Sequence, residues 1–271
     1  MIQLEALADL AIKAGAVILD IYSGDFAVAT KADASPVTEA DQRAEAVILE
    51  GLRRIAPGIP VIAEEESAAG RQAEIADRFI LVDPLDGTRE FVSRNGEFTV
   101  NIALVEGGAP VAGVVYAPAL GRLYVGAKGE GAFAATVTGG VRSSFEPIAV
   151  RPRPAAGLTA IGSRSHGSPE TATFLAPLPV AEFVSTGSSL KFCLVAEGKA
   201  DLYPRHGRTM EWDTAAGDAV LRAAGGAVVT FDGRPLAYGK RRQAGDVDFA
   251  NPYFLAVGDP DLVVVALSAT A

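Results

Sequence analysis

The chain has 271 residues, 49% of them hydrophobic and 21% charged, which is enough to bury a core and argues against disorder. Its 24 Lys and Arg against 33 Asp and Glu give a net charge of -9, which disfavours a nucleic-acid polymer or an anionic membrane as partner. A small anionic substrate fits this charge only if metal ions reverse it locally. The single cysteine, Cys193, excludes an intrachain disulfide and fits a reducing, cytoplasmic compartment.

Two helices and two strands are predicted in the first third of the chain. Apolar residues recur at helical spacing between Leu7 and Ile21, and the acids among them argue against a signal peptide. No later apolar run is long enough to span a bilayer. A second helix is predicted to open near Thr38 and to close before Pro57. The segment IPVIAEEES predicts a short strand that runs into acids, and RFILVD predicts a strand covered on both faces.

From Phe98 onwards, short β-rich runs separated by Gly and Pro turns predict an antiparallel meander. The polar, proline-rich region 135–155 then marks a boundary, so we expect two halves at 1–145 and 146–271. Helices that alternate with mixed sheets imply a layered α/β or α+β architecture. The second half is predicted to contain strands in LTAIGSRSH and ADLYPR, helices in SSLKFCLVAEGKA and DTAAGDAVLRAAGG, and a last strand pair in AVVTFDGRP and YFLAVG.

Four separate stretches place acids at the end of a predicted element. Carboxylates that lie together repel one another and lose hydration, so burying them unpaired is costly. Hard divalent cations such as Mg²⁺ remove that cost, because they favour oxygen ligands from carboxylates, carbonyls, water and phosphate. The acids are Asp41 in PVTEAD, Glu64, Glu65 and Glu66 in VIAEEES, Asp83 and Asp86 in DPLDGT, and Asp213 in EWDTAAG.

The segment DPLDGT is the most specific of the four. Its proline fixes a turn in which Asp83 and Asp86 can face one point, while the Leu85 carbonyl turns the same way. Gly87 opens a helix start, where unpaired backbone N–H groups suit a phosphate. A strand that ends in two acids around Pro-Leu, with Gly-Thr behind them, has little purely structural use.

The other three stretches also have structural interpretations. Asp213 could be a helix N-cap, and Thr38 with Asp41 could form a capping box. The run AEEES could be a solvated turn. The specificity therefore lies in the whole set and in its order along the chain.

In sequential order, PVTEAD, AEEE, DPLDGT and WDTAAGDAVLRAAGG resemble the signatures of the lithium-sensitive, Mg²⁺-dependent phosphomonoesterases that include the inositol monophosphatases. The resemblance covers nearly the whole chain. It implies an α+β, layered αβαβα sugar-phosphatase fold with metals at the junction of the two halves. It also implies two or three Mg²⁺ ions per site and inhibition by Li⁺.

The resemblance implies a set of metal ligands. These would be the side chains of Glu64, Asp83, Asp86 and Asp213, together with the Leu85 carbonyl. The first half would therefore carry most of the ligands, and the second half would supply Asp213 and the substrate contacts.

The resemblance also implies which residues act on water and phosphate. Asp41 and Thr88 would orient the attacking water, with Glu65 in support. The phosphate would contact Gly87 and Thr88, and Asp213 would face the substrate as well as a metal.

Within the family, the sequence is most similar to the 3′(2′),5′-bisphosphate nucleotidases of the CysQ type. Three segments carry this similarity: DGTREFVSRNGEFTVNIAL, GSRSH and GSSLKFCLVAEGKADLYPR. Arg89 stands in the first of them where lysine is usual, which keeps the charge but changes its reach.

A substrate with two phosphates needs cations beyond the metals, and Lys191 and Arg205 are the candidates. Surface charge or a satisfied hydroxyl is the structural alternative for each candidate substrate contact. His206 and Cys193 are interpreted as structural residues. Candidate contacts to the nucleotide are Ser165, His166 and Ser188.

The resemblance therefore predicts hydrolysis of the 3′-phosphate of adenosine 3′,5′-bisphosphate (PAP), with PAPS as a further candidate, to AMP and phosphate. A water activated by the metals would attack in line, without a covalent nucleophile. Inositol monophosphate and histidinol phosphate hydrolysis are alternatives, since they need the same metals but one phosphate. The alternative from another class is a non-catalytic nucleotide-binding protein on this fold.

The expected partner is a small nucleotide bisphosphate, and the protein is expected to be a monomer or a homodimer. The resemblance also allows peripheral association with the cytoplasmic face of the inner membrane. The acidic composition does not favour that association.

Overall fold

The two amphipathic helices predicted at the start of the chain form the first layer of the fold. In the computed structural model, which describes residues 3–30, 36–163 and 168–269, α1 spans Leu4–Ser23 and α2 spans Glu39–Ile55. Their apolar faces meet in a core that includes Ile18 and Ile48 and rests on one face of the first large sheet. Between these helices, two short strands pair in an antiparallel ribbon: β1 (Val28–Thr30) and β2 (Pro36–Thr38).

The first large sheet contains the predicted meander. Its strands run in the order β10-β8-β7-β6-β5-β4-β3, with β9 beside β8. Neighbours pair antiparallel, except that β3 and β4 are parallel. These strands are β3 (Val61–Ala63), β4 (Arg78–Asp86), β5 (Thr99–Glu106), β6 (Ala109–Ala117), β7 (Arg122–Ala127), β8 (Gly131–Thr138), β9 (Val141–Arg142) and β10 (Glu146–Ile148).

The second sheet is mixed and has the order β12-β11-β13-β15-β14. Its parallel part joins β12, β11 and β13, and the predicted last pair, β14 and β15, is antiparallel. The sequence analysis does not predict β12, which is largely exposed at the edge of the sheet. The strands are β11 (Leu158–Ser163), β12 (Val180–Thr186), β13 (Leu202–Arg205), β14 (Ala227–Thr230) and β15 (Phe254–Val257).

Two predicted helices, α6 (Leu190–Ala196) and α7 (Glu211–Ala223), lie between the two sheets and share one core with both. Two further helices that were not predicted, α5 (Pro169–Leu175) and α8 (Asp261–Ser268), cover the far face of the second sheet. The layers therefore follow the order αβαβα, which confirms the predicted fold class. None of the described helices is both long and apolar enough to cross a membrane.

Two short helices follow the strands that end in acids. Helix α3 (Glu64–Ala68) continues directly from β3, and α4 (Thr88–Val92) follows β4 after Gly87, whose φ of 89° gives the left-handed turn that glycine adopts without strain. The division at residue 145 stays a prediction. The first residues after it, in β10, pair with β8 of the first sheet.

Glycines in the first sheet let α7 approach the strands closely. A Cβ on Gly113 of β6 would lie 2.5 Å from the backbone oxygen of Ala216, and one on Gly126 of β7 would lie 2.7 Å from Cα of Val220. Because these neighbours are backbone atoms of a packed helix, they cannot rotate away. The two glycines therefore set the height of α7 above the sheet, and with it the position of Asp213 in the first turn of α7.

We expect Gly113→Ala to lower the free energy of unfolding by about 1–3 kcal/mol, because the added methyl group would push α7 off the sheet. Gly245→Ala is the matched control, since in the described part of the chain no atom outside its two neighbouring residues lies within 4 Å of its Cβ position. Urea unfolding followed by circular dichroism measures both variants. Equal stability of Gly113→Ala and wild type would show that α7 is not held this closely.

Candidate functional site

A bulge at the end of β4 brings two acids to the same side of the sheet. Asp83 pairs with Asn101 and Asp86 pairs with Thr99, so β4 advances three residues while β5 advances two. Side chains three positions apart in a regular strand point to opposite faces, and one extra residue reverses the second of them. The bulge falls at Pro84, which has no N–H to give to the ladder. The sequence DPLD thus aims both carboxylates at one place.

Glu64 reaches the same place from the neighbouring strand. Strands β3 and β4 are parallel, with Ala63 opposite Val82, so the residues that follow, Glu64 and Asp83, stand side by side. Glu64 is the first acid among the causes that raise the pKa of Asp83, after burial itself.

Asp213 enters from the first turn of α7, on the opposite side of the cleft. Its Oδ2 accepts the backbone N–H of Met210 at 2.8 Å, as the third residue of a capping box does. The start of α7 is anchored by buried polar groups around it. Asn251 Nδ2 donates to the Met210 carbonyl at 2.8 Å, and Glu211 accepts the N–H of Lys240 at 2.8 Å. The rotamer of Asp213 is therefore fixed by its own helix and its neighbours.

Asp41 combines the two interpretations that the sequence left open. Its Oδ2 accepts the N–H of Thr38 at 2.7 Å and so completes a capping box at the start of α2. Its Oδ1 accepts a hydrogen bond from the Thr88 hydroxyl at 3.2 Å, across 47 residues of sequence. Thr88 Oγ1 also lies 3.3 Å from the Leu85 carbonyl. One buried carboxylate thus caps a helix and orients the threonine at the start of α4.

The loop before α6 closes the site from the side of the second sheet. The N–H of Ser189 donates to Oδ2 of Asp86 at 2.6 Å, and the N–H of Gly187 donates to Oε2 of Glu97 at 2.8 Å. Ser188 between them has a φ of 49°, an uncommon left-handed conformation for a residue other than glycine. The two anchors hold this loop against β4 and β5.

The two predicted cations, Lys191 and Arg205, line the same cleft as the acids, together with Arg89 and Arg208. Lys191 is buried, its ammonium donates to the Ser188 carbonyl, and burial lowers its pKa to about 8 although Asp86 opposes the shift. Arg205, at the end of β13, donates through Nη2 to the Arg208 carbonyl at 3.2 Å. Its buried Nε has no hydrogen-bond partner among the described residues. The same cleft is therefore lined by acids and by cations, and we call Glu64, Asp83, Asp86 and Asp213 its acidic floor and Lys191 and Arg205 its basic wall.

Burial and mutual repulsion dominate the electrostatics of the floor. Burial, reinforced by Glu64 and Asp86, raises the pKa of Asp83 well above its usual value. The pKa of Asp213 is raised well above its usual value by burial and then by Asp86. Burial raises the pKa of Asp86 to about 6, against the opposing charge of Lys191. Burial and repulsion thus favour the protonated forms of these carboxyls more than in water, and a cation could take the place of those protons.

The donor set fits a hard divalent cation in its chemistry. Four carboxylates and a backbone carbonyl supply oxygen ligands only, which is the preference of Mg²⁺. In the described part of the chain, no three Asp, Glu, His or Cys side chains stand close enough together to hold an ion. The acids nonetheless raise one another's pKa, so they are neighbours.

A model of the Inositol monophosphatase family matches residues 3–252. The chain belongs to the inositol monophosphatase family. It is similar to the 3'(2'),5'-bisphosphate nucleotidase CysQ of Salmonella typhimurium, 48% identical over 253 residues that cover 93% of this chain and 98% of the relative. Two solved structures share the fold. CysQ from Bacteroides thetaiotaomicron has a TM-score of 0.76 at 40% identity and covers 94% of this chain and 97% of its own. The IMPase of Thermotoga maritima has a TM-score of 0.78 at 26% identity, and the match covers 100% of this chain and 98% of the IMPase chain.

The structure brings most of the predicted site residues of this family member into one cleft. Asp41 lies behind the cleft wall, in contact with Thr88, and Glu65 lies on α3 with its N–H bound by another acid. Ser165 and His166 lie outside the described residues. The predicted residues that line the cleft are Glu64, Asp83, Leu85, Asp86, Gly87, Thr88, Ser188, Lys191, Arg205 and Asp213.

Sequence analysis missed Glu45, which is 96% buried on α2 and binds the start of α3. Burial raises its pKa to about 7, although its hydrogen bonds from the N–H groups of Glu65 and Glu66 oppose the shift. A signal was present, because Glu45 stands four residues after Asp41 in a stripe that is otherwise apolar. The two structural assignments agree with the contacts: Cys193 is buried, and the His206 ring stacks on Phe231 with centroids 4.3 Å apart.

We expect the metal-free protein to lose stability as pH rises from about 4 to about 7, relative to a variant in which one acid is neutralised. A carboxyl whose pKa is raised in the folded state stabilises the fold below its unfolded pKa, and this contribution is lost as pH rises through the folded pKa. The pKa of Asp86 in the folded protein is about 6. The pKa of Lys191 is about 8, so Lys191 stays charged throughout this pH interval.

Urea unfolding in EDTA, with and without excess Mg²⁺, measures this dependence. Mg²⁺ should make the free energy of unfolding depend less on pH, because it replaces the protons. In EDTA, Asp86→Asn should also reduce the slope of the free energy of unfolding against pH. Asp20→Asn, an exposed carboxylate on α1, is the control. If the free energy of unfolding of Asp86→Asn ran parallel to that of wild type at every pH, Asp86 would not contribute to the pH dependence of stability.

Proposed function

We propose that this protein is a Mg²⁺-dependent phosphomonoesterase that removes the 3′-phosphate of adenosine 3′,5′-bisphosphate, and of PAPS, to give a 5′-nucleotide and phosphate. The observation that supports it is that the acidic floor and the basic wall line one cleft. The floor suits the metals that a phosphate ester needs, and the wall suits a second phosphate. The CysQ relatives, which are named as bisphosphate nucleotidases, support the same reaction.

The metal would be held by Glu64, Asp83, Asp86, Asp213 and the Leu85 carbonyl. A divalent metal there would supply charge neutralisation, polarisation of the phosphoryl group and a lowered pKa for water. The chain fixes these ligands before substrate arrives. One oxygen each of Asp83, Asp86 and Asp213 accepts a backbone N–H, which sets the direction of the other oxygen.

Thr88 and Asp41 would orient the attacking water. The hydrogen of the Thr88 hydroxyl is engaged by Asp41, so the lone pairs of the oxygen can accept a hydrogen bond from water. Water would then attack phosphorus while the bond to the ribose 3′-oxygen breaks. The proton that the water loses balances the proton that this oxygen takes up to leave as a hydroxyl. Glu65, on the next helix, would support this pair. No side chain becomes covalently linked to the phosphate.

Substrate selection would come from the basic wall. Gly87 and Thr88 would bind the phosphate that is cleaved, through the backbone at the start of α4. Lys191 and Arg205 would bind the second phosphate, which a monophosphate substrate lacks. Further contacts to the nucleotide would come from Ser188 and Asp213 and from the predicted residues Ser165 and His166.

Asp86→Asn should lower kcat by roughly 10²–10³-fold or more, because it removes one carboxylate of the metal set while leaving shape unchanged. The folded state should persist, since the Ser189 N–H can still donate to the amide oxygen. Phosphate release at saturating substrate measures kcat, and circular dichroism checks folding. Asp20→Asn, which changes an exposed carboxylate on α1, is the control. Full activity of Asp86→Asn would contradict the assignment.

A substrate panel tests which phosphate ester is preferred. We expect wild type to favour the bisphosphate over inositol monophosphate, histidinol phosphate and 3′-AMP, with dependence on Mg²⁺ and inhibition by Li⁺. Lys191→Ala and Arg205→Ala should each reduce the preference for the bisphosphate over 3′-AMP by roughly 10- to 100-fold, because a charge-assisted contact is lost.

Lys128→Ala, which removes an exposed cation after β7, should leave the preference unchanged. A wild-type protein that hydrolysed inositol monophosphate best would replace the proposed substrate with a monophosphate. Binding of PAP without hydrolysis of any ester would favour the non-catalytic alternative.

A further inference from the structure

Glu45 supplies a helix cap from another element. It lies on α2, is 4% exposed, and directs its carboxylate to the start of α3. Its Oε2 accepts the N–H of Glu65 at 2.8 Å, and its Oε1 accepts the N–H of Glu66 at 2.9 Å. The first N–H groups of a helix have no partner within the helix, so both oxygens satisfy donors that would otherwise be unpaired.

Helix α3 depends on this contact because it has little stability of its own. It has five residues, and isolated helices of that length do not form in water. Its N-cap residue, Ala63, has no side-chain oxygen to offer. Glu45 therefore does from α2 what a serine or aspartate at position 63 would do.

We propose that Glu45 is a positioning residue for the metal site, which holds Glu64 beside Asp83 by fixing the start of α3. Glu64 is the first residue of α3, so β3 fixes its backbone on one side and the Glu45 contact fixes it on the other. This inference rests on the proposed function, in which Glu64 is a metal ligand.

The same helix supports a second part of the site. Asp41 and Glu45 are one turn apart on α2, where residues at this spacing share a face. Asp41 holds Thr88 and Glu45 holds α3, so α2 fixes the water-orienting pair and a metal ligand together. Groups that orient metal ligands in this way typically contribute 10- to 100-fold to metal affinity.

Mg²⁺ binding measured by isothermal titration calorimetry tests the inference without substrate. Glu45→Gln keeps the shape but turns an amide NH₂ towards one N–H, so we expect its Kd for Mg²⁺ to rise roughly 10- to 100-fold. The kcat at saturating Mg²⁺ should stay within a few-fold of wild type, because the ligands themselves are intact. Glu50→Gln, on the same helix in an exposed pair with Arg54, should bind Mg²⁺ like wild type.

Hydrogen exchange at the backbone amides of Glu65 and Glu66 separates positioning from general stability. In Glu45→Gln these two amides should exchange faster while the core strand β5 keeps its protection. In wild type, Mg²⁺ should slow exchange at both amides, because a bound Glu64 stabilises α3. The effect of Mg²⁺ on exchange in wild type needs no variant, so it can refute the inference even if Glu45→Gln does not fold.

An unchanged Kd for Mg²⁺ in Glu45→Gln, with a lowered Tm, would overturn the inference and leave Glu45 a structural residue. Unchanged exchange of the Glu65 and Glu66 amides when Mg²⁺ binds to wild type would also overturn it. Wild-type protein that bound no Mg²⁺ would overturn the proposed function together with this inference, so the two failures are distinguishable.

Discussion

The repulsion among carboxylates at the junction of the two sheets is the constraint on which the rest of the site depends. Asp83 and Asp213 titrate well above their usual pKa because burial and neighbouring acids disfavour their charged forms. A fold gains nothing from such a group by itself, since an unpaired buried charge costs several kcal/mol. Asp83 and Asp213 each accept a backbone N–H, and Lys191 and Arg205 line the same cleft, which offsets part of the repulsion.

The layered architecture supplies these acids from three different elements, α3, β4 and α7. Parallel strands β3 and β4 end side by side, so Glu64 and Asp83 meet without any long connection. The bulge in β4 turns Asp86 to the same face. Glycines in β6 and β7 lower α7 onto the sheet and so bring Asp213 within reach. The site thus depends on packing in the core as much as on the acids themselves.

The elements with strong periodicity were predictable, and the site was predictable because its acids stand at the ends of those elements. Helix α8 was not, because its apolar run of β-branched residues has no helical pattern, and β12 was not, because it is a half-exposed edge strand. Glu45 was missed for another reason. Local sequence shows that an acid stands in an apolar stripe, but only the fold shows that α3 lies opposite it.

The structural and functional interpretations of Asp41 and Asp213 are compatible, since a carboxylate has two oxygens. In each case the third residue of a helix caps its own N-terminus with Oδ2, which restricts the side chain to one rotamer. For Asp41, the remaining oxygen receives Thr88. For Asp213, the positive end of the helix dipole favours the charged form, against burial, which raises its pKa. A capping box is therefore a means of preorganising a carboxylate, and sequence alone could not separate the two roles because one geometry serves both.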